Sequence, residues 1–137
     1  MQRRLYLDSS VVIYLVENTA KKGPVLSVLS GYQNYALCSS YLALMECLVK
    51  PLQNSNLSLV SAYEAYLQTL ILISSPRKAF RLAAEIRAYT NLRTPDALHL
   101  AYAAAGRCEV FLTGDRRLAS AWQQNPLYPF PQGVIVV

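Results

Sequence analysis

Three aspartates, Asp8, Asp96 and Asp115, and one glutamate, Glu46, stand at positions where carboxylates do chemistry rather than merely solubilise a surface. The chain has 137 residues and only eight acids, and all three of its aspartates fall at ends of apolar segments. Asp8 closes Leu5-Tyr6-Leu7, Asp115 follows Val110-Phe111-Leu112-Thr113-Gly114, and Asp96 opens an apolar helix pattern behind Thr94-Pro95. Glu46 lies inside Leu44-Met45-Glu46-Cys47-Leu48. Carboxylates about 4 Å apart repel by ~1 kcal/mol in water and ~4 kcal/mol at an effective dielectric of 20. A cluster of them at neutral pH therefore needs cations or raised pKa values. Oxygen-only donors suit Mg²⁺ or Mn²⁺ rather than zinc. One or two such ions can activate water and stabilise the leaving oxygen in phosphodiester hydrolysis.

Each acid also has an ordinary explanation. Asp115 could cap a helix beginning at Arg116, Asp96 could sit in a first turn because the helix dipole favours an anion there, and Asp8 could close a strand and cap the next element. Glu46 could form a solvated i,i+4 pair with Lys50. The joint pattern favours chemistry: if the strands of Asp8 and Asp115 are neighbours, their carboxylates point into one crevice, which the helices of Asp96 and Glu46 can reach.

The elements that must position these residues alternate. Leu5 to Leu7 reads as a short buried strand, with Ser9-Ser10 offering caps for a helix over Val11 to Val16. Pro24 begins a short helix that Gly31 ends. A strand over Tyr35 to Cys38 leads, through Ser39-Ser40 as caps, into a helix from Tyr41 to Lys50 that Pro51 stops. Gln53 to Asn56 is a loop and a longer helix runs from about Leu57 to Leu70, while Leu70 to Ile73 is ambiguous between helix end and strand. Ser75-Pro76 starts a helix to about Tyr89 with Ala79, Leu82, Ala83 and Ile86 on one face. Thr94 caps a helix from Pro95 to Ala105, which Gly106 ends. Val110 to Thr113 is a strand, Arg116 to Trp122 a short helix and Val134 to Val137 a last strand. This alternation implies an α/β domain around a mostly parallel sheet of four to five strands, covered on both faces. Sites in such sheets form at the carboxyl ends of the strands, where Asp8 and Asp115 sit.

The length suits one domain over residues 1–137. A chain that is 53% hydrophobic and 15% charged fills a core, which excludes disorder and fibres. The formal charge of +5 favours a polyanionic partner. Cys38, Cys47 and Cys108 lack CxxC or Cys/His zinc spacing and read as buried small hydrophobes in a reducing compartment. Apolar runs such as Val11 to Val16 fall short of the ~20 residues a membrane helix needs, so a soluble, cytoplasmic protein is expected.

Leu5-Tyr6-Leu7-Asp8-Ser9-Ser10-Val11-Val12-Ile13 resembles the opening of a PIN domain, and Glu46 in Tyr41-Leu42-Ala43-Leu44-Met45-Glu46-Cys47-Leu48 resembles that family's helix glutamate. The most specific stretch is Arg93-Thr94-Pro95-Asp96-Ala97-Leu98-His99-Leu100-Ala101, joined later by Val110-Phe111-Leu112-Thr113-Gly114-Asp115-Arg116-Arg117-Leu118. The resemblance covers essentially the whole chain and is least distinctive over residues 50–75. It implies a three-layer α/β/α fold and a Mg²⁺- or Mn²⁺-dependent endoribonuclease in which Asp8, Glu46, Asp96 and Asp115 hold the metal. It further implies that Thr113 and Ser9 or Ser10 orient carboxylates through hydroxyl hydrogen bonds. The size is similar to VapC-like toxins of toxin–antitoxin pairs, which implies a homodimer and a small antitoxin partner beside the RNA substrate. Leu118 replaces the phenylalanine that many members carry after Thr-x-Asp, an apolar-for-apolar change.

Arg93 and Arg116 are candidate phosphate contacts. His99, three residues after Asp96, reads as a packed or hydrogen-bonded structural histidine rather than a ligand or base. A catalytically silent PIN-like module that binds RNA or protein is the alternative reading, and retention of all four acids argues against it. A phosphatase of the haloacid-dehalogenase type would want a second aspartate at the position of Ser10.

Overall fold

The computed structural model describes residues 2–137. Among them five strands and seven helices alternate along the chain as β1 (Arg4–Leu7), α1 (Ser9–Val16), α2 (Lys22–Ser30), β2 (Ala36–Ser40), α3 (Tyr41–Gln53), α4 (Leu57–Gln68), β3 (Ile71–Ile73), α5 (Pro76–Tyr89), α6 (Thr94–Ala105), β4 (Val110–Thr113), α7 (Arg116–Gln124) and β5 (Gly133–Val136). The strands form one sheet in the order β3-β2-β1-β4-β5, and all four pairings are parallel.

The two-residue period of a strand sends alternate side chains to opposite faces, and the core divides accordingly. Leu5 and Leu7 of β1, with Val110 and Leu112 of β4, pack against α1, α2, α3 and α4. Tyr6 and Phe111 turn the other way and pack against α5, α6 and α7. Both faces are thus covered, which is why β1 and β4 read as unbroken apolar runs. The result is the three-layer α/β/α arrangement.

From β1 the chain moves through β2 to β3 along one side, then crosses back and lays β4 on the opposite side of β1. The strand order therefore reverses between β1 and β4. At such a switch point neighbouring connections leave to opposite faces and open a crevice beyond the carboxyl ends of the strands. The register Leu7↔Leu112 places Asp8 and the Thr113–Asp115 turn side by side at that crevice.

Several boundaries differ from those expected. Helix α3 passes through Pro51 and ends at Gln53. The ring is buried, and only the last turn lies beyond it. The amides of Asn54 and Asn56 still bond the carbonyls of Lys50 and Pro51, so the missing proline N–H does not break the helix there. Strand β2 extends to Ser40, because the Ser39 hydroxyl donates to the Leu7 carbonyl and the Ser40 hydroxyl bonds Tyr6 rather than capping α3. Asp8, not Ser9 or Ser10, caps α1. Thr94 is the first residue of α6 and caps nothing, while α2 starts at Lys22, ahead of Pro24. The ambiguous stretch resolves into a helix end at Gln68 and a strand at Ile71–Ile73. Cys38, Cys47 and Cys108 are free and buried.

Candidate active site

Asp8 leaves β1 and is only 5% exposed. Its carboxylate is held from three directions. Ser10 Oγ donates to Oδ1 at 2.5 Å, the Val11 amide donates to the same oxygen at 3.3 Å, and the Thr113 hydroxyl donates to Oδ2. The two hydroxyls also tie down the neighbouring turn. Ser10 Oγ accepts the Gly114 amide at 2.9 Å, and Thr113 Oγ1 accepts the Asp115 amide at 3.0 Å. One small network thus fixes the end of β1 to the end of β4. Gly114 lets the turn come this close, since a Cβ there would lie 2.5 Å from the Tyr14 hydroxyl oxygen.

Asp115 caps α7, its Oδ1 accepting the amides of Arg117 at 2.8 Å and Leu118 at 3.3 Å. The capping and the chemical readings of this residue are compatible, because Oδ2 takes no part in the cap. Asp96 sits in the first turn of α6 with its side chain 20% exposed, and Arg93 lies 3.7 Å from its Oδ2. That pair is open to solvent on the arginine side and weak.

Glu46 is not paired with Lys50. Its Oε1 meets His99 Nε2 at 2.6 Å, across the gap between α3 and α6. His99 is 3% exposed, and its Nδ1 lies 2.8 Å from the Tyr6 hydroxyl, which in turn bonds Ser40 Oγ at 2.7 Å. A buried chain Ser40–Tyr6–His99–Glu46 therefore runs from the sheet to the carboxylate. The hydrogen-bonded structural reading of His99 describes this geometry. Its link to Glu46 and the part of Tyr6 are not legible in the sequence, where Tyr6 looks like any strand apolar. The one available signal is the three-residue spacing from Asp96, which puts His99 on the inward side of α6.

The electrostatics link Asp96 to Asp115 and Asp8, whereas the charge acting on Glu46 is that of His99. Burial raises the Asp8 carboxyl above its ordinary pKa, against the opposing His99, Ser10, Thr113 and Val11. Burial and then the charge of Asp115 raise Asp96, with Asp8 adding to the rise and Arg93 and His99 opposing it. Burial also works to raise Glu46, but the hydrogen bond and charge of His99, helped by Ser9, overcome it and leave this carboxyl below its usual range. The Cys47 thiol beside them is pushed up to about 12 by burial and by the charges of Glu46, Asp8 and Glu17. The crevice thus concentrates acids in an otherwise basic chain.

The acids stop short of a finished metal cage. Among the described residues no three acid, histidine or cysteine side chains converge tightly enough to enclose an ion. Arg93 and Arg116 flank the crevice from the start of α6 and α7, and of the two only Arg93 pairs with an acid.

The sequence matches the PIN domain family over residues 5–121, a span that contains all four acids, and the chain belongs to that family. No curated protein matches it. Among solved structures it is similar to a chain of VapBC2 from Rickettsia felis bound to a DNA fragment from their promoter, at 15% identity over 97% of this chain and 98% of that one, with a TM-score of 0.68. It is also similar to a chain of a toxin–antitoxin complex from Klebsiella pneumoniae, at 18% identity over 96% of each chain and a TM-score of 0.69. A third is from VapBC-5 of Mycobacterium tuberculosis, a member of the VapBC family of toxin–antitoxin systems, at 17% identity over 100% of each chain and a TM-score of 0.59. At these identities the likeness is one of fold.

Proposed function

We propose that this chain is a Mg²⁺- or Mn²⁺-dependent endoribonuclease, one PIN domain over residues 1–137, and the toxin of a toxin–antitoxin pair. The observation that carries the reading is the set of carboxylates at the switch point, where Asp8 and Asp96 are both harder to ionise than free aspartates. A dication would remove that penalty. The donor set is all oxygen, as Mg²⁺ prefers. Mg²⁺ usually keeps several waters and takes one or two carboxylates plus substrate phosphate oxygens, so an open site rather than a closed cage fits it. When bound, the metal supplies activation of the attacking water and stabilisation of the leaving oxygen.

The chain's own residues do the rest. Ser10 and Thr113 hold the Asp8 carboxylate in one orientation, and His99 holds Glu46. Asp96 and Asp115 stand at the first turns of α6 and α7, where the positive ends of the helix dipoles favour anions. Arg93 and Arg116 receive phosphates of the RNA on either side. The descriptions of the Klebsiella pneumoniae structure as a toxin–antitoxin complex and of the Mycobacterium tuberculosis one as a member of a family of toxin–antitoxin systems support a small antitoxin as partner, and we place the protein in the cytoplasm as a homodimer. Among the described residues no helix is long and apolar enough to cross a membrane.

Incubating purified protein with total cellular RNA tests the reading. Discrete fragments that need Mg²⁺ or Mn²⁺, stop with EDTA and vanish in Asp96→Asn are expected. Intact RNA under all conditions points instead to a silent module that binds RNA or protein.

A further inference from the structure

A groove of about 340 Å³ opens beside Asp115, between the loop after α5 and the outer face of α7. Asn91 and Leu92 line it from the loop, and Arg117, Ser120, Ala121 and Gln124 from the helix. Arg117, Ser120, Ala121 and Gln124 are spaced i, i+3, i+4 and i+7, so they share one face, and Arg116 borders it. Leu92 is buried and forms an apolar floor with the half-buried Ala121, while the amides of Asn91 and Gln124 and the Ser120 hydroxyl rim it. The loop is already shaped: the Thr90 hydroxyl accepts the Leu92 amide at 3.3 Å, and Arg87 Nε donates to the Leu92 carbonyl at 3.2 Å.

Arg116 and Arg117 both line this groove and are exposed. Among the described residues neither forms an ion pair, in contrast to Arg93. Asp115, whose Oδ1 accepts the amides of Arg117 and Leu118, pairs with neither guanidinium. Gln124 Nε2 donates to Ser120 Oγ at 3.2 Å, which leaves the Gln124 carbonyl oxygen open as an acceptor. Two spare guanidinium groups beside an apolar floor with amide donors and acceptors match one nucleotide in chemistry. Guanidinium groups hold phosphate, and Asn and Gln amides bond base edges. The volume lies at the small end of ligand sites, roughly 300–1,000 Å³, which admits one splayed base rather than a stacked pair.

We propose that this groove is a nucleotide subsite for single-stranded RNA, seating the unpaired nucleotide next to the phosphate that is cut. Arg117, with Arg116, binds its phosphate; Asn91 and Gln124 read its base edge over Leu92 and Ala121. The assignment rests on the ribonuclease reading for its place beside the scissile bond, and on the groove alone for RNA binding.

Fluorescence anisotropy of a labelled, unstructured RNA of roughly 12 nucleotides, within the ~4–16 that single-strand sites span, reads binding in EDTA without cleavage. Arg117→Ala is expected to weaken binding several-fold and to reduce the slope of log affinity against log salt by about 0.7, one single-strand phosphate contact. Asn91→Ala with Gln124→Ala is expected to leave that slope alone and to shift preference among homopolymers about 5-fold or more. Thermal melts establish that each variant is folded, and Arg117→Glu provides a second charge variant. Wild-type affinity, slope and base preference in all folded variants would overturn the subsite, as would equal binding of a duplex of the same sequence. Metal-dependent cleavage by a wild type whose groove variants bind normally removes the subsite and leaves the nuclease standing. Groove-dependent binding by a protein that cuts no RNA does the reverse.

Discussion

Glu46 owes its position to groups far away in sequence. His99 reaches it from α6, Tyr6 steadies the far side of the imidazole, and Ser40 steadies Tyr6. With the carboxylate ionised, His99 Nε2 donates to it, and Nδ1 of the neutral ring accepts the Tyr6 hydroxyl. His99→Ala removes this support and strands a partly buried carboxylate. Groups that orient metal ligands typically carry 10–100-fold in metal affinity or activity. We therefore expect His99→Ala to weaken Mn²⁺ binding and turnover by about that factor, Tyr6→Phe to cost less, and His99→Gln, which still has an amide donor, to recover part of the loss. Calorimetric Mn²⁺ titration and initial rates check this; equal values for His99→Ala and wild type would remove His99 from the site.

Asp8 makes a pH prediction of definite sign. Its folded pKa lies above its ordinary value because burial penalises the charge. The native state then binds more protons than the unfolded chain, so this group adds stability as pH falls through the folded pKa, the gain being complete below the unfolded value of about 3.9. Asp96 works in the same direction and Glu46, with its lowered pKa, in the opposite one. Metal-free Asp8→Asn gives up one accepted hydrogen bond at every pH, so the trend carries the test: the melting temperature of the variant minus that of the wild type should fall on acidification. A difference that grows instead would contradict the burial penalty.

At the scale of elements, Asp115 caps a helix and also carries a proposed role in the chemistry, and the two can be separated. Its Oδ1 caps α7, and truncating an N-cap typically costs about 1 kcal/mol. Asparagine caps as well as aspartate but carries no charge. Asp115→Ala should lose about 1 kcal/mol in urea unfolding together with metal binding, whereas Asp115→Asn should lose metal binding with nearly unchanged stability. Parallel losses of stability in both variants would show the charge itself to be structural. The strands and most helices are legible because their signals are local: apolar runs for the buried β1 and β4, an apolar stripe for α5, Gly106 after α6. The misplaced ends share a different cause. Pro51 is tolerated because its ring is buried and the next turn is short, and Ser39 and Ser40 extend β2 because their hydroxyls find partners on β1. Such tertiary partners leave no trace in a propensity pattern. For the same reason the sequence offers Asp8, Asp96, Asp115 and Glu46 only as candidates, and the hydroxyl network around Asp8 and the hydrogen-bonded chain behind Glu46 require the fold.

At the scale of the whole molecule, the site depends on where the sheet changes direction. Laying β4 against the open side of β1 brings residue 8 and residue 115 together, and the helices on opposite faces then supply Glu46 from α3 and Asp96 from α6. The crevice gathers acids while the chain as a whole carries +5, which under the proposed function puts cations at the centre and RNA around it. The claim that these four acids act as one metal site is tested most directly by titrating Mn²⁺ into the wild type and into Asp8→Asn, Glu46→Gln, Asp96→Asn and Asp115→Asn, with the melting temperature as the readout. A ligand at 100 times its dissociation constant adds about 2.7 kcal/mol of stability. A shared site requires a Mn²⁺-dependent rise in the wild type that all four variants reduce or abolish. A wild type that Mn²⁺ does not stabilise, or variants that respond as the wild type does, would contradict it.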